Sequence, residues 1–280
     1  MVIAVPRTMH LLELCVRALP SRRSVLIVEN GPTLAERSFL DSALPDLPRL
    51  RLRGIPGVPA PHGVVLTLLV RAIDTPFFII DHDCYVLDDS VFDTIRLAGS
   101  DVVAGIDSDG FMSRNEAAGL SFPRTHFLLL HPERLRALTG RASIDLNKRA
   151  KTPRHLAARL RTIGIGDHNF PRTYQRSYDT MTLACAVALA EGWTLGAHRL
   201  ADGMVRHIGG TSWAFHGFMK FVHARMLELT RDPRVHRKLL KLEASSERLR
   251  AELDPELRSS RLVAEVDAIA AAVAKKLSGR

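Results

Sequence analysis

Two carboxylates one residue apart, Asp81 and Asp83, follow directly on the apolar run Phe77-Phe78-Ile79-Ile80. A pair at that spacing can approach a single hard divalent cation, with phosphate oxygens and water completing an octahedral set. Two desolvated carboxylates without a cation repel one another. Fully solvated, the same residues are only a polar turn after a strand, so both readings stay open on these residues alone.

The elements that must position this pair follow from the apolar pattern. Val2–Val5 and Val25–Val28 are short β-branched runs on either side of a helix-like stretch from His10 to Leu19, the rhythm of a βαβ unit with a parallel sheet. Glu29-Asn30-Gly31-Pro32 is a turn signal. A helix over Leu34–Ala43, a weaker strand at Leu50–Arg53 and an extended connection through Pro56, Pro59 and Pro61 come next. The pattern then predicts a helix over Gly63–Ala72, a buried strand over Phe77–Ile80, and strands at Asp101–Ile106 and Thr125–Leu130 around a polar loop, 107–119. Arg154–Arg161 reads as helical. Asp179 opens an apolar helix, Thr180–Ala190, as a preferred N-cap residue; Gly192 closes it before a strand at Thr194–Ala197. Helices over Trp213–Leu229, Arg234–Leu253 and Ser260–Leu277 complete the chain, which has no internal repeat. In an open α/β sheet ligands collect outside the carboxyl ends of the strands, and Asp81 and Asp83 sit at such an end.

The segment from Pro61 to Asp83, PHGVVLTLLVRAIDTPFFIIDHD, closely resembles the donor-binding half of GT-A-fold, family 2-like glycosyltransferases. The resemblance extends over most of residues 1–228 on a few short motifs. It implies an α/β fold with a GT-A-type, Rossmann-like, mostly parallel sheet flanked by helices. The implied organisation is a catalytic domain at 1–228, with a donor-binding half at 1–106 and an acceptor-side half at 107–228, and a helical C-terminal extension at 229–280. It also implies an enzyme that moves a sugar from a nucleoside diphosphate, UDP above all, to an acceptor hydroxyl with inversion. Mn²⁺ or Mg²⁺ would be held by Asp81, Asp83 and His207, the last from the loop Val205-Arg206-His207-Ile208-Gly209-Gly210-Thr211-Ser212-Trp213. Gly209 and Gly210 would let backbone amides approach the diphosphate, with Arg206 nearby. Pro6, Arg7, Thr8, Glu29, Asn30, His62, Gly63, Asp81 and His82 are the expected donor contacts. Asp179, in Tyr178-Asp179 where the family usually has Glu-Asp, is the expected base.

Two other classes fit parts of the sequence. Haloacid-dehalogenase-like phosphatases also place Asp-x-Asp after an apolar strand, with the first Asp as nucleophile. They want Thr or Val two residues past the second Asp, where this chain has Tyr85, and they place the motif near the first strand. The other alternative is a non-catalytic basic binding module. The formal charge is +9, and the segment from Pro132 to Arg176 carries eleven Lys or Arg against three acidic residues. Aromatic residues for base stacking are few there, Phe170 and Tyr174, so nucleic acid is not expected. Within the transferase reading this segment forms a cationic lid for an anionic acceptor, with Arg149, Lys151 and Arg154 its test residues.

With 280 residues, 46% of them hydrophobic and 25% charged, the chain has the balance of a globular protein with a substantial core, which excludes disorder and collagen-like order. No uncharged apolar run reaches the roughly 18 residues of a membrane-spanning helix. The N-terminus lacks the basic-then-apolar order of a secretory signal, and Cys15, Cys84 and Cys185 show no paired spacing. A cytoplasmic protein is expected, with membrane-peripheral contact or homodimerisation open to the C-terminal helices.

Overall fold

Runs of β-branched and aromatic residues with no polar alternation form strands covered on both faces, and helices with one apolar stripe cover them. The computed structural model describes residues 1–107, 114–115, 120–149, 151–166, 179–211 and 216–279. Its strands are β1 (Val2–Ala4), β2 (Ile27–Glu29), β3 (Arg49–Arg51), β4 (Phe77–Asp81), β5 (Cys84–Val86), β6 (Asp101–Ile106), β7 (Arg114–Asn115), β8 (Leu120–Ser121), β9 (Phe127–Leu130), β10 (Thr194–His198) and β11 (Val205–His207). The chain divides into two compact units, one of Met1–Pro59, Ile80–Asp89 and Asp202–Arg280, the other of Ala60–Ile79 and Ser90–Ala201.

In the first unit the strand order is β4-β1-β2-β3, all parallel, with Val2 opposite both Ile27 and Ile80 and Ile27 opposite Arg49. The connecting helices are Met9–Ala18 and Leu34–Ala43. Thr33 and Glu36 form a capping box on the second helix, and Glu36 Oε1 also accepts from the Arg7 backbone N–H at 2.5 Å. One carboxylate thus starts a helix and fixes the loop after β1, where Arg7 takes φ +65°. β5 and β11 form a separate antiparallel pair, His207 opposite Cys84. The C-terminal helices Phe218–Leu227, Pro233–Leu240, Ser246–Ala251, Pro255–Arg258 and Arg261–Ser278 share one apolar cluster that includes Phe221, Leu227, Leu240, Leu249, Val263 and Val266.

In the second unit the order is β10-β6-β9-β4, with β6 parallel to β10 and antiparallel to β9. Phe78 on β4 packs edge-on against Phe92 and tilts against Phe127, centroids 5.0 and 5.5 Å apart. The architecture is mixed α/β, mostly parallel, with flanking helices, as expected from the sequence.

Boundaries differ where local backbone chemistry overrides apolar periodicity. The helix expected from Thr180 begins at Thr182, because Met181 before it is left-handed at φ +70°. The helix expected over Arg234–Leu253 is two: the first ends at Lys241, left-handed at φ +52°, and the second starts at Ser246 under a Ser245 cap. The helix Pro132–Ala142 and the strand β11 lie in segments whose polar content conceals them, and β5, although apolar, is only three residues long. Among the described residues no helix is long and apolar enough to cross a membrane.

Candidate metal centre

β4 ends at Asp81, and the two-residue turn His82-Asp83 leads straight into β5. β11 pairs with β5, and the Ile208 N–H donates to the Asp83 carbonyl at 3.2 Å, so the late loop is stitched to the turn by main-chain bonds. That pairing carries His207 across more than a hundred residues of sequence. Asp81, Asp83 and His207 each present a ligand atom, and the three atoms lie within 4.8 Å of one another. Two carboxylate oxygens and one imidazole nitrogen make a donor set that suits a divalent ion of the Mn²⁺ or Mg²⁺ kind, with room for phosphate oxygens in the remaining positions.

Asp83 is the buried member of the three, only 3% exposed. Burial by itself would raise its carboxyl, but the field of His82, the His207 ring at 3.3 Å and the Thr211 hydroxyl outweigh it. Together they hold Asp83 well below the usual carboxylate range, ionised and ready for a cation. Thr211 Oγ1 donates to Asp83 Oδ2 at 2.7 Å and lies 3.0 Å from His82 Nε2. Cys15 Sγ donates to the Asp81 carbonyl at 3.6 Å. Gly209 and Gly210 both take positive φ, +72° and +70°, and a Cβ on Gly209 would stand 3.3 Å from the His207 ring. The loop can therefore turn back beneath its own imidazole.

The other expected residues are placed as follows. Pro6, Arg7 and Thr8 follow β1, with Arg7 exposed and Thr8 buried, its hydroxyl donating to the Val5 carbonyl at 2.8 Å. Glu29 ends β2 fully buried, faced by Arg37, Arg49 and Arg51 at 3.4, 3.9 and 3.2 Å, and its neighbour Asn30 is buried too. These belong to the same unit as the metal centre. In the second unit His62 and Gly63 open the helix His62–Ala72. A Cβ on Gly63 would fall 2.2 Å from Asn147 Cα, so glycine there admits the passing 146–147 backbone, which the Thr67 hydroxyl holds at 3.1 Å from Leu146 N. Asp179 is half-buried, and its Oδ1 accepts from the Thr180 N–H at 2.8 Å, one turn ahead of the helix. Tyr178, Phe170, Tyr174, Ser212, Trp213 and most of the 107–119 loop lie outside the described residues. Much of the basic segment is engaged inside its unit. Arg136 donates to the Val70 and Ile73 carbonyls at 2.9 Å, Arg141 and Arg159 share Glu191, and Arg149 pairs with Asp145 at 3.2 Å.

Thr211 carries no sequence signal of its own. Its partners, Asp83 and His82, stand more than 120 residues away, and only its place after Gly209-Gly210 could have drawn notice.

Residues 8–135 match the model of the StrH glycosyltransferase N-terminal domain. Over those residues the match agrees with the glycosyltransferase resemblance read from the sequence. No curated protein sequence matches the chain. Among solved structures, the chain is similar to the galactosyltransferase LgtC in complex with donor and acceptor sugar analogs, at 11% identity over 90% of this chain and 99% of that one, TM-score 0.44. It is also similar to the mannosyltransferase PcManGT from Pyrobaculum calidifontis in complex with GDP-Man and Mn²⁺, at 12% identity over 99% and 84%, TM-score 0.43. A match to an active-site mutant of LgtC, 11% identical with TM-score 0.35, spans 49% of this chain and 58% of that chain.

Proposed function

We propose that the protein is a divalent-metal-dependent transferase that moves a sugar from a nucleoside diphosphate sugar, a UDP-sugar above all, to an acceptor hydroxyl with inversion. The convergence of Asp81, Asp83 and His207 within 4.8 Å, from segments far apart in sequence, carries this reading. A Mn²⁺ or Mg²⁺ ion bound by those residues supplies positive charge for the departing diphosphate. The residues of the chain do the rest. Asp83, held ionised, presents a full negative charge toward the site at neutral pH. The positive-φ backbone of Gly209 and Gly210 leaves their amides unshielded by side chains and open to phosphate oxygens. Pro6, Arg7, Thr8, Glu29, Asn30, His62 and Gly63 are assigned to the nucleoside end from the sequence resemblance, and Glu29 is already paired to arginines.

In the transfer the acceptor oxygen bonds to the anomeric carbon as the bond from that carbon to the diphosphate oxygen breaks. Asp179 takes the hydroxyl proton, and the nucleoside diphosphate leaves with its electron pair. Attack from the face opposite the leaving group inverts the anomeric centre. The excess of cations in the 132–176 segment favours an anionic acceptor.

The deciding experiment is thermal unfolding of the full chain with UDP, GDP and their sugars, with and without Mn²⁺ or Mg²⁺. A ligand at a hundred times its Kd stabilises the folded state by about 2.7 kcal/mol. The expected outcome is a melting temperature raised by a nucleoside diphosphate only when the divalent ion is present, accompanied by slow donor hydrolysis. Phosphate release from simple phosphomonoesters would instead favour the phosphatase class, and salt-sensitive oligonucleotide binding the basic module.

A further inference from the structure

The loop that carries His207 continues through two glycines in the left-handed region, which leaves its backbone little stiffness of its own. Something must hold it in place, and the residue immediately after the glycines is gripped at two points. The Thr211 hydroxyl bonds to Asp83 and the Thr211 carbonyl lies 3.1 Å from His223 Nε2. His223 Nδ1 in turn lies 3.0 Å from His10 Nε2, and both rings are completely buried.

The proton directions along this chain follow from what each atom can do. A hydroxyl has one proton, and that of Thr211 goes to Asp83, so His82 Nε2 at 3.0 Å is a donor to the Thr211 oxygen. A carbonyl only accepts, so His223 Nε2 carries a proton. The His10 ring, kept neutral by its burial, has no partner at Nδ1 among the described residues, so its proton sits on Nε2 and is donated to His223 Nδ1. His10 Nδ1 is left with a lone pair and no proton. The bonds from His82, His223 and His10 run toward Thr211, the Thr211 hydroxyl donates onward to Asp83, and none competes with another.

We propose that His10 and His223 are positioning residues that hold Thr211, and through it Asp83 and the His207 loop, in the arrangement that binds the cation. This inference rests on the metal-dependent reading given above. Groups that orient metal ligands from behind typically change metal affinity by about 10- to 100-fold when removed. The test measures Mn²⁺ affinity by calorimetry without donor, together with the melting temperature, for Thr211→Val, Thr211→Ser, His223→Phe and the Thr211→Val/His223→Phe double variant.

The expected result is Mn²⁺ binding about tenfold weaker in Thr211→Val and in His223→Phe, affinity restored in Thr211→Ser, and a double variant weaker by less than the product of the two singles. His223→Phe with a lowered melting temperature but Mn²⁺ affinity within about twofold of the natural chain would show a merely structural ring and overturn the proposal. So would a full product in the double variant. If His223→Phe does not fold, the ¹⁵N spectrum of the imidazoles in the natural chain decides: His223 and His10 both protonated at Nε2 support the proposal, and either ring protonated only at Nδ1 overturns it. A natural chain that takes up no Mn²⁺ overturns the metal reading itself, an outcome distinct from a variant that binds as well as a binding parent.

Discussion

At the scale of single residues, the chemistry concentrates on a few oxygens and one imidazole. Asp83 can serve as a cation ligand because its neighbours pull against its burial and keep it charged. Asp179, the proposed base, has a different environment: it is half-buried and its Oδ1 accepts the Thr180 backbone N–H. Replacing it with Asn preserves the shape and the Thr180 contact but removes the base that the proposed mechanism requires. Asp179→Asn is expected to lower kcat by about 10²- to 10⁴-fold while the KM for the donor stays within a small factor, measured as sugar transfer under saturating acceptor. An unchanged kcat would remove Asp179 from the reaction. Asp83→Asn should behave otherwise, weakening Mn²⁺ and donor binding together.

Among the elements, the helix Met9–Ala18 buries a histidine and a glutamate that set an acid limit on stability. His10 is held well below its ordinary value of 6.5, first by burial and then by His223, His236 and His82. The native state therefore leaves it neutral while the unfolded chain protonates it. The contribution is whole above pH 6.5 and falls on acidification by about 1.4 kcal/mol per pH unit until the lowered native value is reached. Glu13 answers in a lower range. Burial raises its carboxyl, but His236 at 2.7 Å and the Arg231 N–H at 2.9 Å pull it below the ordinary 4.5, so its contribution is whole above 4.5 and lost below. Urea unfolding between pH 7.5 and 5.5 lies above the Glu13 range; burial also lowers the Met1 amino group, to about 6, and the His131 ring, so the share of His10 is read as the difference between the natural chain and His10→Phe. The natural chain should lose stability across that window, and His10→Phe should lose distinctly less; equal slopes would contradict the assignment.

Across the whole molecule, the C-terminal helices are part of the first unit and share its apolar core. Phe221, Val222 and Leu227, on a helix that precedes residue 229, pack with Leu240, Leu249, Val263 and Val266, which follow it. Arg225 and Arg250 both pair with Asp267, adding an ionic tie across the same boundary. His236, in the later segment, also holds Glu13 of the first helix. A chain ending at residue 228 would expose several large side chains at about 1.5–3 kcal/mol each, more than a marginal fold can lose. Such a truncation is expected to be insoluble or to lack a cooperative melting transition, checked by circular dichroism against the full chain. A soluble truncation with the parent melting temperature would show the helices to be dispensable.

The sequence determined the local facts by itself. Uninterrupted apolar runs specify buried strands, the stripe over Leu34–Ala43 a helix, and Asp81 and Asp83 at the end of such a run a candidate cation pair, because strand and helix periods are written in neighbouring residues. It also supplied His207, but through family likeness; its own surroundings, a polar stretch with two glycines, carry no period. Only the tertiary structure decided that β5 and β11 pair, that Thr211 ties Asp83 to His82, and that His10, His223 and His236 meet in one buried cluster. It also decided that Gly63 is small for the sake of a passing backbone and that Lys241 breaks a periodic helix. Each of those depends on contacts between residues distant in the chain or on a single left-handed backbone angle. Composition and spacing record neither, since such contacts exist only once the chain has closed on itself.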